Sequence, residues 1–225
     1  MQIEPIAIWG ISEKTMLSRF TNAMARLPLV AILRGMKSDE APAVLAALLS
    51  QGFALIEIPL NSPDPLASIK AMRKKAPPEV VIGAGTALSV GDVEAVAQAG
   101  GDFVVMPHVD VAIIRAAKAL GLFCLPGVAT PTEAFVALGA GADGLKAFPA
   151  EMITPAVLKA WRAVIAREIP ILPVGGVSAD SMAAYVAAGA SGFGLGSALY
   201  RPGDSPERVS EHATAFANAW RAIAR

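Results

Sequence analysis

Beyond residue 27 the chain repeats one pattern: a short run of apolar residues, then a longer stretch with apolar positions at helical spacing. The runs fall at residues 29–33, 53–58, 80–84, 103–106, 122–125, 144–148, 171–174 and 192–195. Helices are predicted over 39–51, 65–75, 90–99 and 110–120, from Pro131, over 154–168, over 178–188 and over 206–224. Runs that stay apolar at nearly every position, instead of alternating, belong to strands covered on both faces. Strands that alternate with amphipathic helices and show no hairpin signal predict a parallel sheet wrapped by helices. Eight such units in about 200 residues predict an α/β fold of the (β/α)8 TIM-barrel type, near its lower size limit. A doubly wound open sheet is the alternative, but the first strand–helix turn, Arg34-Gly35-Met36-Lys37, has no glycine-rich nucleotide fingerprint. An extra helix is expected over 12–26, with Ser12 as N-cap and Met16, Phe20, Ala23 and Met24 at helical spacing, ended by Pro28. The chain therefore divides into an N-terminal extension and helix, 1–26, and a barrel domain, 27–225, that holds the catalytic candidates.

Composition narrows the function classes. Apolar residues make up 54% of the 225 and charged residues 17%, and the mean hydropathy of +0.53 is high for a soluble monomer. That surplus points to a subunit interface or a large core. Lys+Arg and Asp+Glu both number 19, a balance that argues against nucleic-acid or anionic-membrane partners, which need a basic surface. The single cysteine, Cys124, excludes an intrachain disulfide and fits a reducing compartment. The charge-free stretch 181–200 is broken by Gly189, Gly192, Gly194 and Gly196, so it reads as helix, turn and strand, not as a membrane span. With no secretory signal in residues 1–10, a cytoplasmic location is expected.

Candidate chemistry gathers where strands end, which is where barrel active sites lie. Lys146 stands inside the apolar run 144–148. A lysine there is costly unless it is paired or its amine is kept neutral, and a neutral amine can attack a carbonyl to form a Schiff base. The bland alternative is an ion-paired or rim-reaching lysine. Glu57 lies in the second run, and a partly buried carboxylate there can have its pKa raised into the range useful for proton transfer. Its alternative is a plain salt bridge to Lys146. Arg34, at the end of the first run, can clamp a carboxylate or phosphate bidentately or pair with Glu57 or Asp39. Thr86, after Gly83-Ala84-Gly85, can donate its hydroxyl to the same anion or serve in a turn. Gly175 and Gly176 after the seventh run, with Gly194, Gly196 and Ser197 at the eighth, form an apparent phosphate cradle, since glycine lets backbone N–H groups approach an anion. Phosphate sites after the seventh and eighth strands recur in this fold. Pro107, beside His108 at the end of the fourth run, and Phe148 complete the rim. Neither histidine, His108 nor His212, belongs to a cluster with metal-ligand spacing, so no metal and no organic cofactor is expected.

The motifs Ala31-Ile32-Leu33-Arg34-Gly35, Ile56-Glu57-Ile58-Pro59-Leu60-Asn61-Ser62, Gly83-Ala84-Gly85-Thr86, Pro126-Gly127-Val128-Ala129-Thr130, Leu145-Lys146-Ala147-Phe148-Pro149 and Val174-Gly175-Gly176-Val177 occur in this order. Together they resemble the 2-keto-3-deoxy-6-phosphogluconate/galactonate aldolase family over residues 27–203. The resemblance implies a cofactor-free class I aldolase in which Lys146 forms the Schiff base and Glu57 moves protons. It also implies that Arg34, Thr86, Asn61, Pro107 and Phe148 bind substrate while Gly175, Gly176, Gly194, Gly196 and Ser197 hold its phosphate. A homotrimer is implied too. Asn61 stands where gluconate-type members tend to have arginine, as in galactonate-type members, which leaves carboxylate binding to Arg34. Departures are Ala147, where a larger aliphatic is common, and His108, where asparagine is common.

The reaction implied is cleavage of 2-dehydro-3-deoxy-6-phosphogalactonate, a phosphorylated keto-deoxy sugar acid, to pyruvate and glyceraldehyde 3-phosphate. Open alternatives are the gluconate epimer or 4-hydroxy-2-oxoglutarate as substrate, a phosphate-binding barrel isomerase, and a non-catalytic sugar-phosphate binder.

Overall fold

The computed structural model describes residues 13–224. Its strands are β1 (Leu29–Ile32), β2 (Leu55–Pro59), β3 (Val81–Gly85), β4 (Phe103–Val105), β5 (Phe123–Leu125), β6 (Gly127–Val128), β7 (Leu145–Ala147), β8 (Ile171–Pro173) and β9 (Phe193–Leu195). The helices are α1 (Glu13–Arg26), α2 (Ala41–Ser50), α3 (Pro65–Lys75), α4 (Val90–Gln98), α5 (Val111–Ala119), α6 (Pro131–Gly139), α7 (Pro155–Trp161), α8 (Met182–Ala187) and α9 (Pro206–Ile223). All strand pairings are parallel. A six-stranded sheet runs β5-β4-β3-β2-β1-β9 and a three-stranded sheet runs β6-β7-β8. A parallel bridge, Val174 to Gly194, joins the end of β8 to β9. The α/β class and curled parallel sheet are as expected. The fifth apolar run, however, leads into two strands on either side of Pro126, which has no N–H to give to a ladder. The neighbouring bonds continue across the break: the Met106 amide donates to the Leu125 carbonyl (3.2 Å) and the Lys146 amide to that of Pro126 (2.9 Å).

Successive strand residues point to opposite faces, and the sequence fills both with apolar side chains. Leu29, Ala31, Ile56, Ile58, Ile82, Val104, Cys124, Leu145, Ile171 and Phe193 pack with the helices in the larger core cluster. The intervening Val30, Ile32, Leu55, Val81, Phe103, Val105, Phe123, Leu125 and Leu172 form a second cluster on the concave face of the sheet. Glu57, Gly83 and Lys146 occupy the concave-face positions midway along their strands.

Helix α1 closes the amino-terminal end of that inner cluster. Phe20 stacks on Phe123 with ring centroids 3.6 Å apart and meets Phe103 edge-on at 5.8 Å. The buried Asp102 carboxylate accepts from Arg19 (2.9 and 3.3 Å), from Arg73 (2.7 Å) and from the Ile82 amide (2.9 Å). Asp102 thereby ties α1 and α3 to the starts of β3 and β4. Phe20→Ala is expected to remove about 3–5 kcal/mol of stability, the usual range for a buried Phe. It should lower the urea midpoint at unchanged m-value; a loss below about 1 kcal/mol would show that α1 does not seal the inner cluster. The Ser12 cap lies outside the described residues, as does the segment before it.

Two helices are shorter than expected. α7 stops at Trp161, not 168: past it the Ala163 and Val164 amides turn to carbonyls three residues back, at 3.2 and 3.0 Å, and the Arg162 side chain then holds the following loop. Its guanidinium donates to the carbonyls of Ala166, Ile169 and Gly189 at 2.8–2.9 Å. α8 starts at Met182 because Ser178 and Ser181 exchange side-chain-to-backbone bonds of 3.0 and 3.3 Å in a tight turn. The charge-free stretch 181–200 spans α8, a turn and β9. Among the described residues no helix is long and apolar enough to cross a membrane.

Candidate active site

Side-chain alternation along β2 and β7 builds the centre of the site. Leu145 and Ala147 take the helix-facing positions of β7, so Lys146 between them faces inward. By the same parity Ile56 and Ile58 face out and Glu57 faces in. Glu57 is 2% exposed and Lys146 6%, so neither reaches a solvated rim. Room for the carboxylate comes from β3: Gly85 pairs with Pro59, and a Cβ there would overlap the Glu57 carboxylate.

Burial sets the electrostatics. It pushes the Glu57 carboxyl above its usual value, opposed by the nearby Lys146 and Arg34 charges. It pushes the Lys146 ammonium below its usual value; Glu57 opposes that shift and Arg34 adds to it. Among the described residues no salt bridge joins the two side chains. The Lys146 Nζ lies 4.5 Å from the centroid of the Phe148 ring, an apolar wall with a weakly attractive face. The linkage signs are opposite. A raised Glu57 pKa costs no stability below 4.5 and an increasing amount as pH rises through the folded value. A lowered Lys146 pKa costs none above 10.5 and more as pH falls through its folded value. Near neutrality both costs apply, so the pair opposes folding and is held by the surrounding core. A neutral amine beside a proton-accepting carboxylate is the state that nucleophilic catalysis uses.

Arg34 follows β1, and its Nη1 donates to the Asn61 Oδ1 at 2.5 Å. The Gly35 amide donates to the Ser62 Oγ at 2.9 Å. These two bonds lock the β1 and β2 end loops together, and Asn61 orients Arg34. Thr86 has φ +59°, a left-handed conformation that is unusual for a β-branched residue and costs on the order of 1–3 kcal/mol. Its neighbours hold it there: the Leu60 amide donates to the Gly85 carbonyl (2.8 Å) and the Ala87 amide to that of Val105 (3.2 Å). Pro107 follows β4, its carbonyl close against Gly127, where a Cβ would sit 2.6 Å away.

The apparent phosphate cradle divides into two kinds of glycine. Gly175 and Gly176 have φ +108° and +61°, and a Cβ on either would meet the Glu151 carboxylate within 3.0 Å. Gly194 lies inside β9, where a Cβ would press on Val174 and Ile32. Gly196 lies past the strand end, with open space where its Cβ would be. Ser197 is exposed, and its carbonyl accepts from the Arg201 Nε at 3.0 Å. Ser62, Glu151 and Arg201 join the site although residue type and spacing give none of them a role in it. Arg201 sits four residues past Ser197, a spacing at which a side chain folds back over a turn. His212, off this rim on α9, is half-buried with its Nδ1 3.1 Å from the Leu199 carbonyl. Among the described residues no three His, Cys, Asp or Glu side chains are grouped as metal ligands.

The sequence model of the KDPG and KHG aldolases matches residues 20–206. The probable 2-dehydro-3-deoxy-6-phosphogalactonate aldolase of Rhizobium meliloti strain 1021 is 50% identical over 196 residues, 87% of this chain and 92% of that one. The 2-dehydro-3-deoxy-6-phosphogalactonate aldolase of Escherichia coli K12 is 45% identical over 196 residues, 87% and 96% of the two chains. A solved structure described as native KDPGal superposes with a TM-score of 0.87 at 44% identity, covering 88% of this chain and 97% of that one. These likenesses place the chain among the lyases that act by aldol chemistry. It belongs to the KDPG and KHG aldolase family.

Proposed function

We propose that the protein is a Schiff-base aldolase that cleaves 2-dehydro-3-deoxy-6-phosphogalactonate to pyruvate and glyceraldehyde 3-phosphate. One observation carries the mechanism: the buried Lys146 amine faces the same apolar interior as Glu57, and burial disfavours the charge on both. The neutral amine attacks the C2 ketone and water leaves, giving an iminium. Glu57 takes the C4 hydroxyl proton as the C3–C4 bond breaks, and the bonding electrons pass into the iminium as an enamine. The aldehyde departs, the enamine is protonated at C3, and hydrolysis frees pyruvate and Lys146. No metal or organic cofactor enters this route.

Arg34, held by Asn61, receives the substrate carboxylate with Thr86. Pro107 and Phe148 line the pyruvyl end, and Gly175, Gly176, Gly196 and Ser197 receive the phosphate. Asn61 in place of a second arginine, together with the relatives' names, supports the galactonate epimer. The nine strands act as the eight of a closed (β/α)8 barrel, a reading supported by the Val174–Gly194 bridge and the continuity across Pro126. The chain divides at residue 27 into an N-terminal segment with α1 and a barrel domain, a division supported by the strand–helix repeat that begins with β1. The exposed Leu88, Phe135, Val136, Met152 and Val164 support a subunit interface, in keeping with the homotrimer that the family resemblance implies, and the lone, buried Cys124 supports the cytoplasm.

Borohydride reduction in the presence of pyruvate is expected to add a reduced pyruvyl group at Lys146, located by peptide mass mapping. Relative kcat/KM should rank the phosphogalactonate compound above its gluconate epimer and above 4-hydroxy-2-oxoglutarate. An unmodified Lys146 would overturn the covalent route, and the reverse ranking would overturn the epimer assignment.

A further inference from the structure

We infer that Arg201 is a phosphate-binding residue of the aldolase, the cationic wall of a cradle otherwise made of backbone. The inference rests on the proposed phosphate site and extends it to a side chain. Residues 196–200 form a tight turn after β9, in which the Leu199 and Tyr200 amides both donate to the Gly196 carbonyl at 2.8 and 3.0 Å. Leu199 and Tyr200 are buried, and the Tyr200 hydroxyl donates to Glu40 Oε2 at 3.1 Å, which anchors the turn to the segment before α2. The next residue is Arg201. Its amide donates to Asp204 Oδ2 at 2.8 Å, and its Nε reaches back to the Ser197 carbonyl at 3.0 Å. Backbone and side chain are thus each fixed by one bond, and the guanidinium is laid over the turn that presents Gly196 and Ser197.

Asp204 is the nearest carboxylate in sequence, but its side chain serves the Arg201 amide and the Arg208 guanidinium (3.4 Å). Among the described residues no acid pairs with Arg201, and neither of its terminal nitrogens has a partner. Two NH2 groups in the plane of the guanidinium match the oxygens of a phosphate. The Nε bond ties them to the turn that holds Gly196, where a Cβ would meet nothing within 4 Å and the space is open. Across the cradle, Gly175 and Gly176 face the Glu151 carboxylate, whose charge works against an incoming dianion. Arg201 adds a positive charge to a cradle of backbone donors that otherwise lies next to that carboxylate.

The test compares 2-dehydro-3-deoxy-6-phosphogalactonate with the same acid lacking phosphate, in wild type and in Arg201→Met. The KM advantage of the phosphorylated acid is expected to shrink roughly tenfold or more in Arg201→Met, the scale of a charge-assisted hydrogen bond pair. Inhibition by inorganic phosphate should weaken in parallel, and Arg201→Lys should recover part of both. If Arg201 only holds the Ser197 carbonyl, the methionine variant changes KM for both acids alike and leaves the phosphate Ki unmoved, and the inference falls. If wild type itself shows neither preference for the phosphorylated acid nor inhibition by phosphate, the phosphate reading fails and takes this inference with it.

Discussion

Lys146→Met is expected to lower aldol cleavage by roughly 10^4-fold or more, the scale of losing a covalent nucleophile, and to give no borohydride-trapped adduct. Methionine fills a similar length of the apolar interior, so the folded state should persist. Removing the Lys146 charge also removes the largest influence that holds the Glu57 carboxyl down. Its pKa should therefore rise further, a shift that carboxyl 13C NMR can follow. Activity within tenfold of wild type would sink the covalent mechanism. Loss of activity with an unmoved Glu57 titration would show that the two side chains are not electrostatically coupled.

Glu57→Gln should lower kcat by about 10^2–10^4-fold, the usual scale of a general acid–base group. The variant also allows a test by sign. Glu57 raises the Lys146 pKa against the larger lowering by burial. Without its charge, Lys146 becomes a weaker base. The acid limb of the pH profile for pyruvate trapping should then move to lower pH, even as turnover collapses. An upward move would mean that the shift on Lys146 has another source.

The strands were legible because each is apolar on both faces, and their order followed from regular alternation with helices. The convergence of Lys146, Glu57, Arg34 and Thr86 followed from counting, since parallel strands of similar length end together. The break at Pro126 depended on which amides a neighbouring strand demands, which a single run of residues does not record. Nor did propensity show that the chain would tighten into three-residue turns after Trp161 and end α7 early. At the site, residue type indicated Arg34 and Asn61 but not that one holds the other, because that bond spans 27 positions and depends on rotamers. Arg201 was hidden for a related reason. It lies in a turn, where periodicity is silent and only the folded path brings its guanidinium onto Ser197.

The inner cluster below Lys146 and Glu57 has a further role beyond filling space. Leu55, Val81, Phe103, Phe123 and Leu172 form an apolar buried column, and Phe20 stops its far end. That column acts as electrical insulation: it keeps water, and so a high dielectric, away from the underside of the amine. A breach at the α1 end would let solvent in from below, restore the charge on Lys146 and slow imine formation at the opposite mouth. On the proposed mechanism, the N-terminal helix would then bear on the basicity of the nucleophile from the far end of the cluster.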